Sequence, residues 1–220
     1  MGKGYQMDYL LQILPSLLEG LKMTIGIFGL TLLGALPLGV LVAMGLRSDI
    51  QLLRWLMNLY ISVMRGTPLL LQIVFVYYGL SMANIATLPR FEAALVTFIL
   101  NYAAYFAEIF RGGLQAIPKG QYAGAKVLGL TRWQTMRYVI LPQVVKVVMP
   151  SVGNEVINLV KDSSLVYVIG IGDLMRAGNI AAARDVSLVP YLLVGLLYLM
   201  LTVLVTAGMR HIETRLNYYR

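Results

Sequence analysis

The sequence predicts an all-α, polytopic membrane protein with about five transmembrane helices, and three observations predict it. First, 59% of the 220 residues are hydrophobic and 13% are charged, with a mean hydropathy of +0.74. A soluble domain carries nearer a quarter charged residues, so the apolar excess calls for lipid. Second, the apolar residues gather into runs long enough to cross a hydrocarbon core about 30 Å thick. Third, the basic residues sit in the connections and at the span edges rather than along one face. The formal charge of +8 therefore reads as membrane topology and not as a nucleic-acid surface.

Taken in order, the first span covers Thr24–Met44 and is interrupted by Pro37. The second runs from about Trp55 to Leu80 and contains the polar insert Arg65-Gly66-Thr67-Pro68. The third is about Ala93–Phe110, the fourth about Val144–Val160 and the fifth Val189–Ala207. The run Leu165–Ile171 is too short to span; it is either re-entrant or packed on the other helices. Gly26, Gly29 and Gly34 are expected to let helices approach closely. No linker or internal repeat interrupts the chain, so 1–220 reads as a single membrane domain. Lys3 and Asp8 precede the first span without a cleavage-site pattern, so that span is expected to be retained.

An outward N-terminus places Arg47, Arg54, Arg111, Lys119, Lys126, Arg132, Arg137, Lys146, Arg210, Arg215 and Arg220 inside. It leaves Lys3, Lys22, Arg90, Arg176 and Arg184 outside, with Arg65 and Lys161 within spans. The excess of basic loops marks the cytoplasmic side, giving N-terminus out and C-terminus in.

The loop of about 111–142 on the basic side is organised. Pro118 suits the first turn of a short helix, and Gly129 suits its left-handed stop. Thr131-Arg132-Trp133-Gln134 reads as a capping box opening a second helix, which Pro142 is expected to end. The two helices would present Ala123, Ala125 and Leu128 with Arg132 and Trp133 as a knob for a groove on a partner. The alternative is an amphipathic loop resting on lipid headgroups.

Polar residues within spans are costly and usually face a partner or a wet cavity. On the fourth span Asn154, Asn158 and Lys161 form one helical stripe, and Glu155, Asn158 and Asp162 the adjoining one. They either line a solute pathway or pair with neighbouring helices. Glu155 is the candidate for meeting a cationic group. On the third span Asn101, Tyr105 and Glu108 share a face, with Glu108 close enough to Arg111 to pair. Tyr77 and Tyr78 suit an interfacial belt. Pro68 removes a backbone donor and Gly66 loosens the turn, so the second helix must break there. The break is either a gate or hinge with Arg65 salt-bridged, for which Glu108 is a candidate partner, or a static kink with Arg65 snorkelling.

Much chemistry is absent. There is no cysteine and a single histidine, His211, in a basic tail, which leaves no metal-ligand set. There is no G-x-x-x-x-G-K-[ST] phosphate loop and no H-E-x-x-H. A serine–lysine hydrolase built on Lys161-Asp162-Ser163-Ser164 is a weak alternative. Any energy for transport must come from a partner or from an ion gradient. The gradient option, a stand-alone secondary transporter with Glu155 or Asp162 as proton relay, lacks the inverted repeat such proteins carry.

Gly120 to Gly129, followed by Val139-Ile140-Leu141-Pro142, resembles the signature loop of ABC import permeases, which reads E-A-A, three residues, G, nine residues, I-x-L-P. Arg65-Gly66-Thr67-Pro68, the stretch Asn101–Arg111, Gly153-Asn154-Glu155 and Lys161–Ser164 are similar to the polar amino acid branch of that family. The chain departs from the signature at Ala123, which replaces the glutamate, and at Gly124. The resemblance implies an ABC type I importer permease fold. It implies that Ala123, Gly124, Ala125, Leu128, Gly129, Thr131 and Arg132 couple to a separate ABC ATPase subunit. The further partners it implies are a second permease subunit, identical or homologous, an extracytoplasmic solute-binding protein, an amino acid substrate and the lipid of the cytoplasmic membrane. No cofactor would be bound by this chain itself, since ATP and Mg would sit on the ATPase.

Overall fold

The computed structural model describes the backbone of residues 3–216 and the side chains of Tyr9 and of 11–216. The side chain of Lys3, Arg220 and the ends of the 1–220 reading lie outside these described residues. Every element among them is helical. Helix α1 is Lys3–Gly45, much longer than the expected first span, and it passes through both Pro15 and Pro37 without ending. Glu19 and Lys22 interrupt the apolar pattern ahead of Thr24 and so hide the earlier turns, although the apolar candidate span begins at Leu11. Helices α2 (Gln51–Gly66) and α3 (Leu69–Met82) form a pair bent by 105° at Thr67-Pro68. Helix α4 is Arg90–Ala116 and α5 the short Lys119–Val127. Helix α6 (Arg132–Ile169) meets α7 (Leu174–Asp185) at 56°, and α8 is Val189–Leu216. Three unbroken helices are long and apolar enough to cross a membrane, and the two bent pairs raise that to five if each is one span.

Helix α4 is the axis of the bundle. Over half of its most apolar window is buried (56%), against 6% for α8, whose surface faces outward. Phe98, Tyr102, Phe106 and Phe110 recur every fourth residue, and their rings follow one another at 6.3 Å. This ladder packs with Ile27 and Ala35 of α1 and with Val144, Val148, Val152 and Val156 of α6. Gly39 allows a close approach of α1 to α4, since a Cβ there would lie 2.8 Å from that of Phe106. Gly34 packs against Ile99 in the same seam, whereas Gly26 and Gly29 face open space and serve no close contact.

The expectation that Pro142 ends a helix is corrected. A π-helical stretch, Thr135–Ile140, precedes it, and the helix continues from Leu141 to Asp162. The wider turn lets Leu141 donate to the Met136 carbonyl, five residues back, so the ring and missing donor of Pro142 are accommodated. The knob is thus joined rigidly to the fourth span. The capping box is present: Thr131 Oγ1 accepts from the Gln134 amide at 3.2 Å, and Gln134 Oε1 accepts from the Thr131 amide at 2.9 Å. Gly129 has φ +74°. The Leu130 amide donates to Ala125 O at 3.1 Å, closing α5. Ala123 and Leu128 are exposed, but Ala125 is buried, because two residues along a helix turn it to the opposite face. Leu165–Ile171 falls into the packed alternative, with Val166, Ile169 and Ile171 buried.

Helix α7 has no counterpart among the expected elements. Its start is fixed by Asp173, fully buried, whose carboxylate accepts from the Met175 and Arg176 amides at 3.0 and 3.1 Å. Thr24 of α1 accepts from the Leu174 amide at 3.2 Å, and Gly20 lies against the Asp173 backbone.

Candidate functional site

A cleft of about 470 Å³ opens between the start of α3, the middle of α4 and the last turns of α6. Of the seven residues expected along a pathway, six line it: Asn101, Tyr105, Glu155, Asn158, Lys161 and Asp162. The seventh, Asn154, is exposed and lies outside its lining. Thr67 and Pro68 of the break line it too, so the bend forms one wall. Glu155, Asn158, Asp162 and Leu165 recur at three and four residues, which keeps them on one stripe of α6.

The two carboxylates differ in their surroundings. Asp162 accepts a 2.7 Å hydrogen bond from the Tyr102 hydroxyl. Glu155 is half-buried with Asn158 as its neighbour, and among the described residues it has no salt-bridge partner. The cleft therefore offers two carboxylates without an ion pair among the described residues, beside the single cation Lys161, and of the two it is Asp162 that the Tyr102 hydroxyl engages. Glu108 lies outside the lining and pairs with Arg111 at 2.6 Å. Arg65 reaches the same Glu108 oxygen at 3.9 Å and stacks over the Tyr105 ring with 5.2 Å to the centroid. Ser163 and Ser164 donate to the carbonyls of Val160 and Lys161, which occupies both hydroxyl protons locally.

The break itself is held by Gln72, which sequence reasoning did not single out, together with Asn101 and Thr67. A helix running through Pro68 would bond the Met64 carbonyl to the amide of residue 68, which proline lacks. Gln72 Nε2 and Asn101 Nδ2 supply that carbonyl instead, each at 3.0 Å. Asn101 Nδ2 also donates to Gln72 Oε1 at 3.0 Å, and Gln72 Nε2 to Thr67 Oγ1 at 2.7 Å. Thr67 Oγ1 in turn donates to Val63 O at 2.8 Å. Asn101, buried in the wall, is thus a pin of the bend as well as a lining group. The available signal for Gln72 was a single amide in the apolar run Leu69–Val74.

A polar cleft walled by a broken helix at membrane depth defines a membrane-embedded solute-conducting subunit, since irregular backbone there is tolerated only when buried or facing a cavity. The chain belongs to the family of binding-protein-dependent transport system inner membrane components, whose model matches residues 35–218. It is 38% identical over 206 residues to the glutamine transport system permease protein GlnP of Escherichia coli (strain K12), covering 93% of this chain and 94% of that one. It is 38% identical over 205 residues to the arginine transport system permease protein ArtQ of Bacillus subtilis (strain 168), with the same coverage of 93% and 94%. In three dimensions it matches the structure described as an amino acid ABC transporter with histidines, with a TM-score of 0.87 and 34% identity. That match covers 94% of this chain and 96% of the other. Its fold is that of the ABC importer permeases, all-α and multi-pass in the inner membrane.

Proposed function

We propose that this chain conducts polar amino acids, with a preference for cationic ones, as the membrane subunit of an ATP-driven importer. The observation that carries the preference is the Glu155 carboxylate, without an ion pair in a cleft where it and Asp162 outnumber the one cation, Lys161. GlnP and ArtQ carry different amino acids in their names and are equally identical to this chain, so overall similarity does not choose the cargo. The charge of the cleft is the better guide. Every amino acid brings an α-ammonium, and a basic side chain adds a second cation for Glu155 to meet.

In this reading a second permease subunit, identical or homologous, closes the pathway, and an extracytoplasmic solute-binding protein delivers the amino acid. A separate ATPase holds ATP and Mg and seats the tip formed by Ala123, Gly124, Leu128, Gly129, Thr131 and Arg132. Ala125 supports that tip from beneath. The N-terminus lies outside and the C-terminus in the cytoplasm, as the basic loops favour. Arg65, between Glu108 and the Tyr105 ring, is the gating charge at the Gly66-Thr67-Pro68 hinge.

The test is substrate-stimulated ATP hydrolysis by the reconstituted complex. Glu155→Gln should weaken half-saturation by arginine or lysine roughly tenfold or more, the scale of a lost charge-assisted hydrogen bond, and spare glutamine. An unchanged arginine preference rejects the role of Glu155. Uptake that persists under vanadate, with no ATPase co-purifying, points to a secondary transporter and rejects the ATP-driven reading itself.

A further inference from the structure

Away from the cleft, two cavities meet where α1, α4 and α6 end on the side of α5. One, of about 510 Å³, carries three cations, Arg47, Lys126 and Arg132, in a lining completed by Tyr122, Leu130, Thr135 and Met136. No carboxylate lines it, and among the described residues none of the three cations has an ion pair. The other, of about 490 Å³, is almost wholly apolar and is walled by Val40, Ala43, Phe110, Leu114, Val144 and Val148. Arg47 and Met136 line both, so the cationic pocket is the mouth of the apolar groove. Trp133, 70% exposed, stands at the rim of the groove beside Arg132, the side chain that most favours the headgroup level.

We propose that this composite site holds an anionic phospholipid, its phosphate at Arg47 and Lys126 and one acyl chain in the groove. Charge complementarity selects the occupant. Two cations without a counter-ion attract a phosphate, and an apolar groove directly behind them takes what is attached to it. A soluble anion leaves the groove empty, and an acidic protein segment leaves it without an apolar anchor. Anionic headgroups concentrate on the cytoplasmic leaflet, where basic pockets between transmembrane helices capture them. The lipid would bridge α1 and α6 beneath α5, tying the knob to the membrane surface. This inference rests on the knob facing the cytoplasm but on no particular cargo.

Trp55 and Trp133 are the two tryptophans, so Trp55→Phe leaves Trp133 as the reporter. The protein is reconstituted in phosphatidylcholine vesicles with a small, equal fraction of brominated-chain phosphatidylglycerol or brominated-chain phosphatidylcholine, and quenching is titrated. Phosphatidylglycerol should quench saturably with an apparent affinity higher by about tenfold or more, since each basic residue near the surface favours an anionic headgroup. Arg47→Gln with Lys126→Gln should bring the two lipids close to equal. Equal quenching in the Trp55→Phe protein overturns the proposal, as does a preference that survives the double neutralisation. Selectivity that vanishes when the ATPase subunit is bound gives the cations to that protein and also overturns it. The readout needs no transport, so its failure is separable from that of the importer reading.

Discussion

At the scale of single residues, the most consequential feature is the orphaned carbonyl of Met64. Proline removes its helical donor, and two side-chain amides replace it, one eight residues on and one from another helix. Neither amide acts alone, because Asn101 also donates to Gln72. Gln72→Leu should therefore destabilise the protein by about 1–2 kcal/mol, the range for interhelical hydrogen bonds in membranes and for an unsatisfied buried group. Asn101→Leu should cost a similar amount. The double variant should cost less than the sum, since the two side chains share one acceptor and one another. Thermal unfolding in detergent checks this: strict additivity would mean that the triad is no energetic unit.

At the scale of elements, the joint between α5 and α6 decides how motion at the tip reaches the spans. A glycine with φ +74° closes α5, a capping box opens α6, and a π stretch carries α6 past Pro142. The glycine and the capping box fix the turn between the two helices, and the π stretch keeps the axis of α6 continuous from the tip to Asp162. Gly129→Ala puts a Cβ into the left-handed region at a cost of about 1 kcal/mol. Nothing lies within 4 Å of that Cβ, so the penalty is conformational and not steric. The expected result is weakened co-purification of the ATPase and lower uptake per ATP hydrolysed, with the unfolding temperature of the spans little changed. A large fall in that temperature with normal coupling would contradict the rigid-joint view.

At the scale of the whole molecule, α1 lies along α4 and then crosses the start of α7. At that crossing a Cβ on Gly20 would stand 2.7 Å from the Asp173 carbonyl oxygen, which is backbone and has little room to yield. The Asp173 carboxylate also receives the Tyr198 hydroxyl of α8 at 3.5 Å, so α1, through the backbone, and α8, through the side chain, converge on the start of α7. Gly20→Val should push α1 off α7 and cost about 1–3 kcal/mol, the range for overpacking. Limited proteolysis of the Val186–Leu188 connection should accelerate, while the cleft residues on α4 and α6 keep their contacts. Unaltered proteolysis and stability would show that the crossing yields without strain.

The sequence by itself determined what depends on neighbours along the chain. Apolar run length fixed the spans, the Gly66-Pro68 pair fixed the break, and Gly129 and Thr131 fixed the ends of the tip helices. The stripe from Glu155 to Asp162 was legible because helical spacing alone puts those residues on one face. Where local rules failed, a distant partner or a compensating turn had intervened. Pro142 does not end its helix because the π stretch absorbs it. Gly26 and Gly29 have the small-residue spacing but no helix against them, while Gly20 and Gly39 do the packing. The roles of Gln72, Tyr102 and Asp173 arise from partners 29, 60 and 25 positions away. Only tertiary structure could decide them, because a buried amide or carboxylate is positioned by whichever group the packed helices bring within hydrogen-bonding reach, and that proximity is not encoded in any local period.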